Sequence, residues 1–178
     1  MGLARIYIQI GGREFDVERF NDDCLKNGVE NECFGKYFDR IPGVLKHPAE
    51  DLIKNGRYIA PLDAPVGEYF LWVSKHSSYS CAEVRGEIDA DTVCSVYRDK
   101  MIRDKEDAFI VDYLKSMKLN IPNISEYVSG DFFVILQVIY SSEDGVGGGH
   151  YFSDKLIRAA ADMGAGIDLI FTVDEYFG

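Results

Sequence analysis

Gly11-Gly12-Arg13-Glu14-Phe15-Asp16 and Gly148-Gly149-His150-Tyr151-Phe152-Ser153 share one order: a glycine pair, two variable residues, a phenylalanine and a residue able to cap a helix. Each follows a strand-like run and precedes helical spacing. In each, the apolar residue before the cap is matched by one four positions after the cap, Phe15 by Phe20 and Phe152 by Ile157, the pattern of a hydrophobic staple. The same strand-to-helix joint is therefore expected twice. That repeat predicts a single α+β domain over 1–178, with β-α-β-like halves at 1–88 and 89–178. A ferredoxin-like sandwich, with both halves sharing one sheet and helices packed on one face, is the expected architecture. The glycine pairs are expected to end their strands by accepting positive φ.

Before the first joint, Ile6, Ile8 and Ile10 alternate with Arg5, Tyr7 and Gln9, the period of a half-buried strand. Beyond it, Asp16 caps a helix expected over Val17 to Lys26. From Asn27 to Pro65 glycine and proline interrupt every pattern, so loops, short strands and a helical turn near Ala49 to Lys54 are expected. Glu68 to Ser74 reads as a strand buried on both faces, and a hairpin through Cys81, Glu83 and Val84 can extend it. From Asp91 to Leu119 the apolar spacing turns helical, with a charged interval at 103–107, giving one helix or two joined near Asp104. Asp89 or Asp91 is its candidate cap, and its Met and aromatic stripe is core. Asp131 to Ser142 is a central strand, Ser153 caps a helix that Gly164 stops, and Ile167, Leu169, Phe171 and Val173 alternate along a last strand.

Gly145 to Asp154 also raises a phosphate loop. Neither the lysine of a P-loop nor the glycine spacing of a dinucleotide fingerprint is present, and Glu143, Asp144 and Asp154 surround the stretch with negative charge. No cofactor is expected. Signatures of serine hydrolases, zinc proteases and zinc deaminases are missing, and no catalytic residue is assigned. Asp168 and Asp174 can face a cleft, yet the alternation places them as readily in solvent. The histidines, His47, His76 and His150, lie far apart, so no metal site is expected. Cys24, Cys33, Cys81 and Cys94 form no C-x-x-C pair and are expected to act as small buried hydrophobes.

The longest apolar run, Phe132 to Leu136, is far short of the ~20 residues a spanning helix needs. The start, which lacks a basic segment followed by an apolar one, adds the expectation of a cytoplasmic protein. With 30 acidic and 19 basic residues the net charge is −11, which disfavours binding nucleic-acid backbones and favours a basic partner.

Gly11-Gly12 and Phe15-Asp16, with Phe152-Ser153, Leu156-Ile157 and the run Met163-Gly164-Ala165-Gly166-Ile167-Asp168-Leu169, resemble a bacterial family catalogued as a domain of unknown function. The resemblance covers about half the chain, mostly at its two ends. It implies an α+β cytoplasmic protein without assigned catalysis. Similar small acidic proteins are encoded beside secreted polymorphic toxins and act as immunity proteins. The leading expectation is thus an immunity protein, a monomer or weak dimer, that neutralises a cognate toxin domain with a basic cleft, such as a nuclease. Asp22, Asp23, Glu30, Glu32, Glu143 and Asp144 are candidate contacts, with Tyr37 and Tyr151 as aromatic anchors. A small-ligand or metabolic protein with a cleft between the halves is the alternative, and self-association through a strand edge the third reading.

Overall fold

The alternating isoleucines of the opening stretch become the centre of the sheet. The computed structural model describes residues 3–38, 68–80, 84, 95–142 and 152–173. In chain order these form β1 (Leu3–Phe15), α1 (Val17–Lys26), β2 (Asn31–Phe38), β3 (Glu68–Ser74), β4 (Ser77–Ser80) and α2 (Ser95–Asn120). A short 3-10 turn (Ile124–Glu126), β5 (Val128–Ser142), α3 (Asp154–Asp162) and β6 (Ala165–Val173) follow. The fold is α+β, a mixed six-stranded sheet with three α-helices among the described residues.

The strand order is β2-β3-β1-β5-β6, with β4 paired to β1 beyond the end of β3. β1 is antiparallel to β3, β4 and β5, β2 is antiparallel to β3, and β5 is parallel to β6. The two joints lead to different places. α1 carries the chain from β1 to β2, across the position of β3, whereas α3 carries it from β5 to its immediate neighbour β6.

Registers place Ala4, Ile6, Ile8 and Ile10 of β1 on the face shared with Val134, Leu136 and Val138 of β5 and with Trp72 of β3. These residues form one buried cluster with Val17, Phe20 and Cys24 of α1, Ile110, Val111, Leu114 and Met117 of α2, and Leu156 and Ala160 of α3. All three helices therefore close the same face, and the core draws on both ends of the chain. Phe20 sits at its centre, with ring centroids 5.3 Å from Phe15, Trp72 and Tyr127 in edge-on contacts. The Phe15–Phe20 staple expected from the sequence is thus in place. At the second joint Ile157 is half exposed and Leu156 is the residue fully buried.

Caps agree with the sequence reading. Asp16 accepts a hydrogen bond from the Arg19 N–H at 3.2 Å, and Ser153 Oγ accepts from the Leu156 N–H at 3.3 Å. Gly164, at φ +67, takes the left-handed conformation that stops α3.

Gly11 and Gly12 depart from expectation. β1 runs through them to Phe15, and neither has positive φ. Their value is the absence of a side chain: a Cβ on Gly11 would sit 2.3 Å from Cζ of Phe133, its partner on β5. The strand bends instead through a register irregularity between Gly12 and Glu14. Gly148 and Gly149 lie outside the described residues, as do the helical turn near Ala49 to Lys54, the caps proposed at Asp89 and Asp91, and most of the hairpin proposed after Ser80, whose one described residue beyond Ser80, Val84, is helical instead of extended.

α2 is one helix without a break near Asp104. Its charged interval is only partly solvated, because Glu106 and Asp107 are buried. Asp107 lies on the same helical stripe as Ile110, Val111 and Leu114, which turn inward. Its Oδ2 accepts the N–H of Ser153 at 2.6 Å, setting a carboxylate at the N-terminus of α3. The cysteines divide as well: Cys24 is buried, Cys33 is exposed on the terminal strand β2, and Cys81 and Cys94 lie outside the described residues. Among the described residues no helix is long and apolar enough to cross a membrane.

Where β3 gives way to β4, a side chain fills the ladder. Ser74 Oγ accepts the Ile8 N–H at 2.9 Å and lies 2.7 Å from Tyr113 Oη, which ties α2 to the sheet. Burial pushes the Tyr113 hydroxyl up to about 12, against the opposing effect of the Ser74 hydrogen bond.

Candidate partner-binding margin

Four of the acidic residues expected to contact a partner lie within one stretch of chain, from the second half of α1 to the start of β2. Asp22 and Asp23 lie in the second half of α1, and Glu30 and Glu32 lie at the turn into β2 and on its first residues. α1 is amphipathic: Val17, Phe20, Asn21 and Cys24 are buried against the sheet, leaving Glu18, Asp22 and Leu25 outward. Asn21 Oδ1 accepts the indole N–H of Trp72 at 3.1 Å, which fixes the helix over β3. The chain then turns through Asn27 and Gly28, and buried Val29 anchors the entry to β2.

Among the described residues β2 ends the strand order, and its outer ladder groups face away from β3. Two large apolar side chains are exposed on this margin, Leu25 at 49% and Phe34 at 41%. Of the expected aromatic anchors, Tyr37 has its backbone in β2 opposite Tyr69, and its side chain lies outside the described residues. Glu143, Asp144 and Tyr151 lie outside them too.

Three of the four acidic residues already meet a donor of this chain. Asp23 accepts from Lys26 Nζ at 2.6 Å and from Tyr127 Oη at 2.7 Å, Glu30 pairs with Lys75, and Glu32 lies 3.3 Å from His76 Nδ1. The hydrogen bond from Lys26, and then that from Tyr127, holds the Asp23 carboxyl below its usual range. The same contact raises Tyr127, over whose ring Arg19 lies at 4.8 Å. A lowered carboxyl stabilises the fold above its unfolded value and ceases to do so as pH falls through the folded one. Asp23→Asn should therefore show a slightly lower melting temperature than the parent at pH 7. The two curves should converge in acid, as pH falls below the usual carboxylate range; a gap that stays constant would assign the effect to packing.

The sheet face opposite the helices carries a second polar group that the sequence reading missed. Tyr7 of β1, Gln137 of β5 and Asp168 of β6 are successive register partners and form a row across three strands. Gln137 is fully buried, and its Nε2 donates to Asp168 Oδ2 at 2.7 Å. Burial first, then the nearby Asp168 carboxylate, pushes the Tyr7 hydroxyl up to about 12. Asp168 is thus half-buried in the sheet's polar row, and Asp174 lies outside the described residues. Single residues in strongly apolar runs gave no signal that they would align. Among the described residues no group of three or more His, Cys, Asp or Glu side chains could hold a metal ion.

No protein-family model, curated protein or solved structure matches this chain.

Proposed function

We propose that the protein is an inhibitor of the immunity type, which docks the α1–β2 margin into a basic cleft of a partner toxin domain. One observation carries the reading: the stretch that holds Asp22, Asp23, Glu30 and Glu32 also exposes Leu25 of α1 and Phe34 of β2, the last strand of the order among the described residues, in a chain with net charge −11. Long-range charge speeds encounter with a cationic groove, and a few desolvated apolar contacts set the lifetime of the complex. The existing pairs with Lys75 and His76 do not oppose this. Exposed ion pairs contribute about 0–1 kcal/mol, so a partner's arginine can replace Lys75 or His76 beside its carboxylate at little cost. Inhibition needs occupancy of the cleft and no reactive side chain here.

The ferredoxin-like part of the reading is supported by the order β5-β1-β3-β2, antiparallel throughout, with α1 and α2 as its two crossovers. β6 is then an addition outside β5. The resemblance at the two ends of the chain adds the association with toxin genes, and a cytoplasmic site of action follows from that role.

Co-expression with the product of the adjacent gene tests the proposal. The two proteins should copurify, growth should survive only when both are made, and Glu32→Lys combined with Phe34→Ser should abolish both effects while leaving the fold intact. A neighbour that neither binds nor impairs growth, together with a metabolite that raises the melting temperature, would establish the ligand-binding alternative instead.

A further inference from the structure

One stripe on α2 and one on α3 are rich in cations, against the acidic balance of the whole chain. Val111, Leu114, Lys115 and Lys118 follow the i, i+3, i+4, i+7 spacing of one stripe on α2, and Lys155, Arg158, Ala159 and Asp162 do the same on α3. The two helices pack against each other, and the stripes border a cleft of about 270 Å³. Its floor is apolar: Val111 and Leu114 are buried and Ala159 is half-buried. Its rims hold Lys115, Lys118, Lys155 and Arg158, all exposed, with Asp162 as the one acid among the lining residues. Lys115 lies 3.9 Å from Asp112 on its own helix, whereas Lys118, Lys155 and Arg158 have no ion-pair partner among the described residues.

A lining with four cations and one acid is unexpected in a chain of 30 acidic and 19 basic residues. We propose that this groove docks an acidic amphipathic segment of a partner protein, with apolar side chains on the floor and carboxylates along both rims. A compact anion is a poorer match, because the cations sit on long stems along two lines instead of converging on a point. Spread negative charge flanking an apolar stripe is the pattern of an acidic helix laid in a groove. Each stripe spans eight residues of helix, seven steps or roughly 10 Å, room for about two turns of such a segment. The surrounding anionic surface repels acidic partners elsewhere and so directs them to this patch. The groove belongs to α3, at the β6 end of the sheet, and α1 and β2 lie at the other, so this site is separate from the α1–β2 margin.

The test uses the full chain and two synthetic three-turn peptides of identical Glu and Leu content, one amphipathic and one scrambled. The amphipathic peptide should bind, more weakly as salt rises, and should shift backbone amide resonances only around 110–119 and 154–163. The scrambled peptide should bind at least about tenfold less tightly, a difference of about 1.4 kcal/mol. Lys118→Gln with Arg158→Gln should weaken the amphipathic peptide by a similar factor without moving the melting temperature, and Lys155→Gln provides a second variant if the double one is unstable. Equal binding of the two peptides, shifts spread over the surface, full displacement by inorganic phosphate, or occupation of the groove by a second copy of the chain would each overturn the proposal.

Discussion

Phe20→Ala should cost about 3–5 kcal/mol, the usual range for removing a buried aromatic ring, and lower the melting temperature on the order of 10 °C. Phe20 is fully buried and touches Phe15, Trp72 and Tyr127, which come from β1, β3 and the turn before β5. No single neighbour can collapse into the space without leaving the other two. Against a typical total stability of about 5–15 kcal/mol, the loss is a large share of what keeps the domain folded. Ile157→Ala at the second joint removes a half-exposed side chain and should cost less than about 1 kcal/mol. Urea denaturation of both variants checks the contrast; equal losses would mean that the staple at Phe15 does not organise the core.

Alkaline pH should weaken the fold through two tyrosines on opposite faces of the sheet. Tyr7 and Tyr113 are both pushed up to about 12, mainly by burial. A raised value favours the neutral hydroxyl in the folded chain. The stabilisation is therefore complete below the unfolded value near pH 10, and declines as pH rises through the folded one. Each tyrosine should account for about 2–3 kcal/mol lost by the time pH passes 12, with about half of that gone near pH 11. Cys24, also raised to about 12 by burial, adds to the loss from about pH 9. Stability measured in urea at pH 8 and pH 11 should fall sharply for the parent and less for Tyr7→Phe, which retains the ring without an ionisable group. An unchanged slope in that variant would show that Tyr7 titrates normally and that the sheet's polar row is open to water.

The local devices of this fold were legible in the sequence. The caps at Asp16 and Ser153, the Phe15–Phe20 staple, the bounds of α1 and β3, and the stop at Gly164 each depend on residues within a few positions of one another. Gly11 was misread for a related reason. A glycine pair signals a turn locally, and only the cross-strand register reveals that the Phe133 ring needs the space. Asp107 illustrates the same limit, since R-D-K-E-D looks solvated until α3 docks its N-terminus there. At the candidate margin the charges were readable and their partners were not. The Asp23–Lys26 pair follows from helical spacing, whereas Tyr127 lies 104 residues away. The cationic groove likewise joins two stripes, each visible on its own helix, whose facing is a property of the packing.

The position of β1 has a consequence for how the chain is made. Of the described strands, the earliest in the chain is the one around which the sheet is assembled, and Leu3 to Gly12 find their partners on β5 only after Ser141 has been translated. Until then the isoleucine row lacks one neighbour, a liability that long-range pairing imposes on a nascent polypeptide. Ribosome-bound intermediates lacking β5 should accordingly depend on chaperones that shield apolar strands.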